Sequence, residues 1–409
     1  MQASRARLER EVVCPFCALL CDDLEVAVEG ERLAVRDKGC ARAREAFARP
    51  LPEDRRPRLR GEPVPLEAAA GRAAELLGSA GLPLFAGLEA DLAGLRAVVA
   101  LAERTGGVVD PMTGEGARAQ LRAVQRSGWV AGTLAEARNR PDLVLLVGDG
   151  WRAAAPRLFE RVLAPAARLD ERPRRLLQLG GAPPREPEIE HLPCPEAALA
   201  EQVALLRALL RDRPVAAPES LRALADAIRT ASYRLLLWAT ESLPAPAVLV
   251  HHLAALSREL NARGRAVALP LASSPGPVTA RQLLLWQTGV PDPVGFADGA
   301  PEQDPVRWAG ERLLAEKAAD LLVWIDVSGF RPPPVVSVPA VLLIRAGIDP
   351  PFVPEVLIPI ATPGLDHPGD LYRTDTVVAL RARGLRRTAL PSAAEVLAAI
   401  AGALPDPAR

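Results

Sequence analysis

Aliphatic runs of strand length recur along this chain, and they constrain its fold more than any other feature. Leu143–Val147, Val356–Ile360 and the runs at 321–325 and 340–344 alternate with stretches whose apolar residues recur at helical spacing. A strand buried on both faces has no polar side with which to alternate, so such runs separated by helices indicate parallel sheets covered on both faces. Shorter runs at 83–87, 108–109, 174–179, 233–240 and 266–271 extend the pattern, with helices expected at 67–79, 90–104, 116–127, 195–211, 245–262 and 392–403. The expected class is α/β, with two doubly wound, Rossmann-like domains behind a small N-terminal cysteine domain.

The stretch 50–65 is dense in Pro and Arg and reads as a connector, because proline fixes φ and removes a donor. We therefore expect a four-cysteine domain at 1–56, a sheet domain built from 57–150 and 310–409, and a Rossmann-like domain inserted at 151–309. Charge excludes several partners: 50 Lys and Arg against 50 Asp and Glu leave no global field for nucleic acid or an anionic membrane. Nearly half the residues are hydrophobic, which argues against disorder. No run approaches the ~20 apolar residues of a membrane helix. The charged opening at 1–10 lacks a signal peptide's apolar region, so the expected location is the cytoplasm.

Five cysteines are too few for a disulfide framework in a chain of this length, and their placement is informative. Cys14, Cys17, Cys21 and Cys40 follow the spacing C-x2-C-x3-C-x18-C, whereas Cys194 stands far away. Four thiolates from one short loop and one returning segment suit an iron-sulfur cube, each of whose irons takes one Cys ligand. Structural zinc is the competitor, although zinc motifs more often use two separate C-x2-C knuckles. A relic that binds no metal is the third reading. Cys194, in His-Leu-Pro-Cys-Pro, reads as a small apolar residue.

The run Cys-Pro-Phe-Cys-Ala-Leu-Leu-Cys-Asp-Asp-Leu at 14–24, followed by Lys-Gly-Cys at 38–40, resembles the N-terminal cluster domain of the formylmethanofuran dehydrogenase B-subunit family, within the molybdopterin oxidoreductase superfamily. Downstream, Gly-Thr-Leu-Ala-Glu-Ala-Arg-Asn-Arg-Pro-Asp at 132–142 is similar to the family's T-L-G-E-V-K-N-R-A-D run. Near the C-terminus, Val-Leu-Ile-Pro at 356–359 and Gly-Asp-Leu-Tyr-Arg-Thr-Asp at 369–375 resemble its V-V-I-P strand and G-T-x-Y-R-x-D segment. The resemblance implies a molybdopterin oxidoreductase-like fold without the C-terminal β-barrel domain. It also implies a 4Fe-4S cluster on Cys14, Cys17, Cys21 and Cys40, with zinc or no metal as alternatives.

Two departures from the family speak against redox chemistry. The family's protein ligand to molybdenum or tungsten, a Cys or selenocysteine, would fall at about Gly116, where there is no thiol. The loop that reads G-x-N-P-x-x-A-H-P-R in the family is Gly-Asp-Gly-Trp-Arg-Ala-Ala-Ala-Pro-Arg at 148–157, with Gly150, Trp151 and Ala155 replacing the Asn, Pro and His. The cofactor carries the hard chemistry in such enzymes, so molybdopterin is not expected. This pattern resembles the subgroup found in bacterial formyltransferase/hydrolase complexes of tetrahydromethanopterin-linked one-carbon metabolism. The resemblance implies an architectural B subunit whose partners are an amidohydrolase-like A subunit and formyltransferase-like C and D subunits. A redox-active dehydrogenase subunit is the competing expectation, and a stand-alone nucleotide-binding module is a third.

Other chemistry-bearing residues are sparse. His251 and His252 sit near the start of a helix, His191 and His367 are isolated in Pro- and Gly-rich loops, and no zinc-protease pattern accompanies them. Gly148-Asp149-Gly150 follows a strand but lacks the spacing of a dinucleotide fingerprint. The polar segment 371–375 lies where doubly wound sheets place ligand loops, so Tyr372 and Arg373 are candidates for contact with a partner or carrier. The plainer reading pairs Arg373 with Asp375 at the surface.

Overall fold

The computed structural model describes residues 7–167, 169 and 173–405, and in it the aliphatic runs assemble into two parallel sheets. The first six residues of the charged opening lie outside the described region. The chain divides into two units. One comprises the residues up to Phe16, Leu20–Met112 and everything from Ser274 onward; the other comprises Cys17–Leu19 and Thr113–Ser273.

The first unit is built on a nine-stranded sheet. Its parallel core consists of Pro83–Glu89, Val108–Asp110, Leu321–Asp326, Ala340–Arg345 and Val356–Ile360. Numbered along the chain, these strands lie in the order 2-1-3-4-5. Short antiparallel pairs finish both edges, Val294–Gly295 with Glu302–Gln303 on one side and Arg58–Leu59 with Glu62–Pro63 on the other. Order reverses between Pro83–Glu89 and Leu321–Asp326, which makes the carboxyl ends of these two strands the topological switch point, where open α/β sheets place ligands.

The second unit carries five parallel strands, Leu143–Val147, Arg175–Leu179, Ile189–Leu192, Tyr233–Ala239 and Arg265–Leu271. They lie in the Rossmann order 3-2-1-4-5, so the switch point falls between Leu143–Val147 and Tyr233–Ala239. Strand interiors are almost wholly aliphatic and buried, and each such side chain removed from water contributes about 1.5–3 kcal/mol. Helix ends follow local chemistry. Asp91 caps Leu92–Thr105 through the Gly94 N–H, and that helix stops at Gly106 in the left-handed region with φ of 66°.

The unit boundaries fall near 112 and 273, whereas the sequence pattern placed them near 150 and 309. Leu143–Val147 pairs on both sides with strands of the five-stranded sheet, and an apolar run does not itself announce which sheet will take it. The cysteine-bearing segment likewise groups with the first unit apart from Cys17–Leu19. It forms an antiparallel sheet of Arg7–Val12, Leu24–Glu29 and Arg32–Asp37, then the helix Ala41–Ala48. Buried arginines fasten it. Arg345 donates to Ala46 O at 2.6 Å, and Arg386 donates to Glu31 O at 2.7 Å. No described helix is long and apolar enough to cross a membrane.

Candidate functional site

Cys14 follows the first strand of the antiparallel sheet, and its N–H donates to Cys21 O at 2.8 Å, closing the loop between them. Leu20 occupies the left-handed region with φ of 45°, which lets the loop turn back on itself. Cys14, Cys17 and Cys21 are buried. Cys40 is half-buried and caps the helix Ala41–Ala48, its Sγ accepting the Ala43 N–H at 3.4 Å. Cys14, Cys21 and Cys40 belong to the first unit and Cys17 to the second. Among the described residues, no three His, Cys, Asp or Glu side chains are grouped so as to hold a metal ion.

At the switch point of the second unit, the chain fills its own crevice. Gly116, the second residue of the helix Glu115–Ser127, lies against the backbone of Thr240, which follows Tyr233–Ala239. A Cβ at 116 would overlap the Thr240 carbonyl oxygen, so a thiol there has no room. The Thr240 hydroxyl donates to Gln120 Oε1 at 2.8 Å, which fixes the helix on this strand end. A Cβ at Gly150 would meet the side chain of Ser242.

Trp151 is 1% exposed, and its indole N–H donates to Gln178 Oε1 at 3.2 Å. Gln178 in turn donates to Gly180 O at 3.0 Å and to Ala182 O at 2.8 Å, so this buried amide is satisfied by the chain itself. The Arg152 guanidinium stacks 4.2 Å from the Trp151 ring and pairs with Glu186. Gly150, Trp151 and Arg152 are therefore each packed on groups of the chain itself.

The switch point of the first unit is closed differently. Glu89 ends its strand 1% exposed and receives the start of the helix Pro275–Thr288, accepting from the Ser274 hydroxyl and from the Gly276 N–H at 3.2 Å. A Cβ at Gly276 would sit 2.6 Å from Leu88 O, so the helix end touches the strand directly. Burial first, and then the nearby Asp326 charge, push the Glu89 carboxyl up to about 7. Asp326 Oδ1 accepts from the N–H groups of Ser328 and Gly329, and its Oδ2 accepts from Arg331 N–H. Arg331 then ties neighbouring strand ends together, donating to Gly87 O at 2.6 Å and Pro111 O at 2.8 Å.

Asp110, at the end of Val108–Asp110, accepts from Met112 N at 2.9 Å and Gly310 N at 2.7 Å, and burial pushes it up to about 7. Nearby Arg281 grips Asp292 through two bonds of 2.7 and 2.9 Å. Glu89 and Asp110 can hold protons near neutral pH, but their oxygens are engaged by the chain, so they brace strand ends rather than face a substrate. They do not figure among the residues singled out by sequence. The signal was present: in Pro83–Glu89, Val108–Asp110 and Leu321–Asp326, a single acid terminates an apolar strand.

The remaining candidates do not converge. His251 is exposed, while His252 is half-buried against Arg207 at 2.6 Å, with burial and that cation pushing the imidazole below its ordinary value. His191 contacts Gly181 O and His367 contacts Pro368 O. Cys194 is half-buried on the core of its unit, and burial raises its thiol. Arg373 pairs with Asp375 at 2.6 Å, but the Asp375 side chain is wholly buried, so the pair is interior at one end rather than a surface contact.

No family model matches the chain. The B subunit of the formyltransferase/hydrolase complex Fhc of Methylorubrum extorquens is 30% identical to it over 322 residues, covering 77% of this chain and 87% of that protein. The B subunit of tungsten-containing formylmethanofuran dehydrogenase 2 is 29% identical over 407 residues in Methanocaldococcus jannaschii, covering 91% of this chain and 92% of that protein. The Methanococcus maripaludis protein of that name is 26% identical over 399 residues, with 90% and 92% covered. In the crystal structure of the formyltransferase/hydrolase complex FhcABCD from Methylorubrum extorquens with methylofuran, one chain superposes with a TM-score of 0.74 at 28% identity. The match covers 84% of this chain and 97% of that one.

Proposed function

The chain belongs to the B-subunit family shared by the formyltransferase/hydrolase complex and formylmethanofuran dehydrogenase, and from that membership we propose that it is a non-redox subunit of a complex handling formyl groups on a methanofuran-type carrier. The observation that carries the non-redox reading is the closure at Gly116, where the backbone of Thr240 occupies the place of a ligand side chain. Buried Trp151 and its satisfied partner Gln178 support it from the neighbouring strand end. Without a metal ligand or an open cradle, the polypeptide has no group of its own to take electrons from a formyl carbon. The partners would be an amidohydrolase-like A subunit that releases formate and formyltransferase-like C and D subunits, all in the cytoplasm. This chain would serve as scaffold.

The same reading assigns the four N-terminal thiols a 4Fe-4S cluster. Four soft donors in this spacing, three of them buried, suit the cluster. Metal uptake by these thiols would be coupled to local order of their loop.

The test is purification of the assembled complex, with molybdenum and tungsten measured alongside formyl-carrier hydrolysis. Formate release that needs no electron acceptor, from a complex lacking both metals, is the expected result. Stoichiometric tungsten or molybdenum with acceptor-dependent turnover would overturn it.

A further inference from the structure

The second unit holds a cavity away from its switch point, at the end of its sheet where the strands Tyr233–Ala239 and Arg265–Leu271 begin. It measures about 260 Å³ and lies among the carboxyl ends of the helices Leu199–Leu210, Glu219–Thr230 and Pro246–Asn261. Four arginines line it, Arg211, Arg229, Arg234 and Arg263, against a single acid, Glu259. That acid is already held by Arg207 at 2.6 Å and by Arg211.

Helix carboxyl ends carry partial negative charge, and capping accounts for part of this arginine cluster. Arg229 donates to Leu209 O at 2.5 Å and Arg263 to Leu210 O at 2.8 Å. Arg234 donates through Nε to Ile228 O at 2.7 Å and through Nη2 to Arg229 O at 3.2 Å. Capping leaves its Nη1 over. Gly264 keeps that nitrogen clear, since a Cβ there would come within 2.6 Å of it. Arg234 is 5% exposed and forms no ion pair among the described residues; Asp142 acts on it at a distance, while accepting from the N–H groups of Ser232 and Tyr233. A buried charge is costly unless it is paired, so this guanidinium lacks the anion that would offset its burial.

We propose that the cavity binds a small organic anion, whose carboxylate or phosphate group pairs with Arg234 Nη1 and with Arg263 while its apolar end packs on Leu210, Ile228 and Leu260. Guanidinium donors match either oxyanion, and the apolar walls favour an organic ligand over a bare ion. The site lies at the opposite end of the strands from the crevice where doubly wound sheets do chemistry, so the ligand is held rather than turned over. It stands on this unit alone and does not need the subunit reading.

The experiment titrates the full chain with butyrate and with butyl phosphate at constant ionic strength, by calorimetry and by the unfolding midpoint. Saturable binding that raises the midpoint is the expected result, a preference for butyrate assigning a carboxylate ligand and the reverse preference a phosphate ester. Gly264→Ala displaces Nη1 and Arg234→Gln removes the charge, so each should weaken binding about 10-fold or more. Arg263→Ala, at a side chain 61% exposed, should unfold like the parent and still bind more weakly, which decides the matter where Arg234→Gln does not fold. Absence of saturable binding by either anion overturns the site. Binding that all three variants leave unchanged overturns it as well.

Discussion

The backbone of Gly116 rests on the carbonyl of Thr240 with no space for a side chain between them. Gly116 lies in the first turn of its helix and Thr240 follows the fourth strand of the Rossmann-ordered sheet, so this contact closes the crevice where such sheets bind ligands. A missing thiol alone would leave an open question about the site. A position that cannot accept any Cβ turns it into part of the core.

Gly116→Ala and Gly116→Cys should each destabilise the protein, because the helix must move off the strand end. Overpacking of this kind costs typically about 1–3 kcal/mol. Urea unfolding of both variants measures the loss, and parental stability in either would show that the contact is looser than described. Gly116→Cys should also fail to recruit molybdenum or tungsten.

Stability should fall as pH rises toward and past neutrality through Glu89. Its folded-state value lies near 7, above the ordinary carboxyl value of 4.5, so the native state holds the proton more tightly. The resulting stabilisation is full below the unfolded value and is lost as pH passes through about 7, amounting to roughly 3 kcal/mol across that window. Glu89→Gln can still accept from Gly276 and donate to the Ser274 hydroxyl. Urea unfolding at about pH 5 and about pH 8 should therefore show a flatter pH dependence in the variant. An identical slope would place the proton elsewhere.

Arg386 and Asp366 form a wholly buried pair at 2.6 Å, with Arg386 also holding Glu31 O in the N-terminal module. Asp366→Asn leaves the guanidinium without its counter-charge, a change that typically costs about 3–5 kcal/mol. The thermal unfolding midpoint should drop accordingly, and protection of the strands Leu24–Glu29 and Arg32–Asp37 from hydrogen exchange should fall with it. A neutral effect would mean that the module is held mainly by Arg345.

Chain purified without oxygen should carry about four iron and about four sulfide per molecule, with a broad visible absorption that disappears on Cys40→Ser. A colourless protein with stoichiometric zinc would overturn the cluster. Removing the metal should lower protection of the loop between Cys14 and Cys21 more than that of either parallel sheet.

By itself, the sequence determined the class, the strands and the family. Runs such as Leu143–Val147 and Ala340–Arg345 are strands because no polar face interrupts them, and that is a local property of neighbouring residues. The cysteine spacing and the glycine in place of a thiol at 116 were equally plain in the sequence. Only the tertiary structure decided which sheet takes Leu143–Val147, because pairing is a choice between surfaces of equal hydrophobicity distant in the chain. It alone brought Glu89 to the start of the helix Pro275–Thr288, and Gly116 to Thr240, Glu89 and Gly276 being 187 positions apart in the chain. Burial raises the Glu89 carboxyl, and burial is a property of everything packed around a group, which no single stretch of sequence contains.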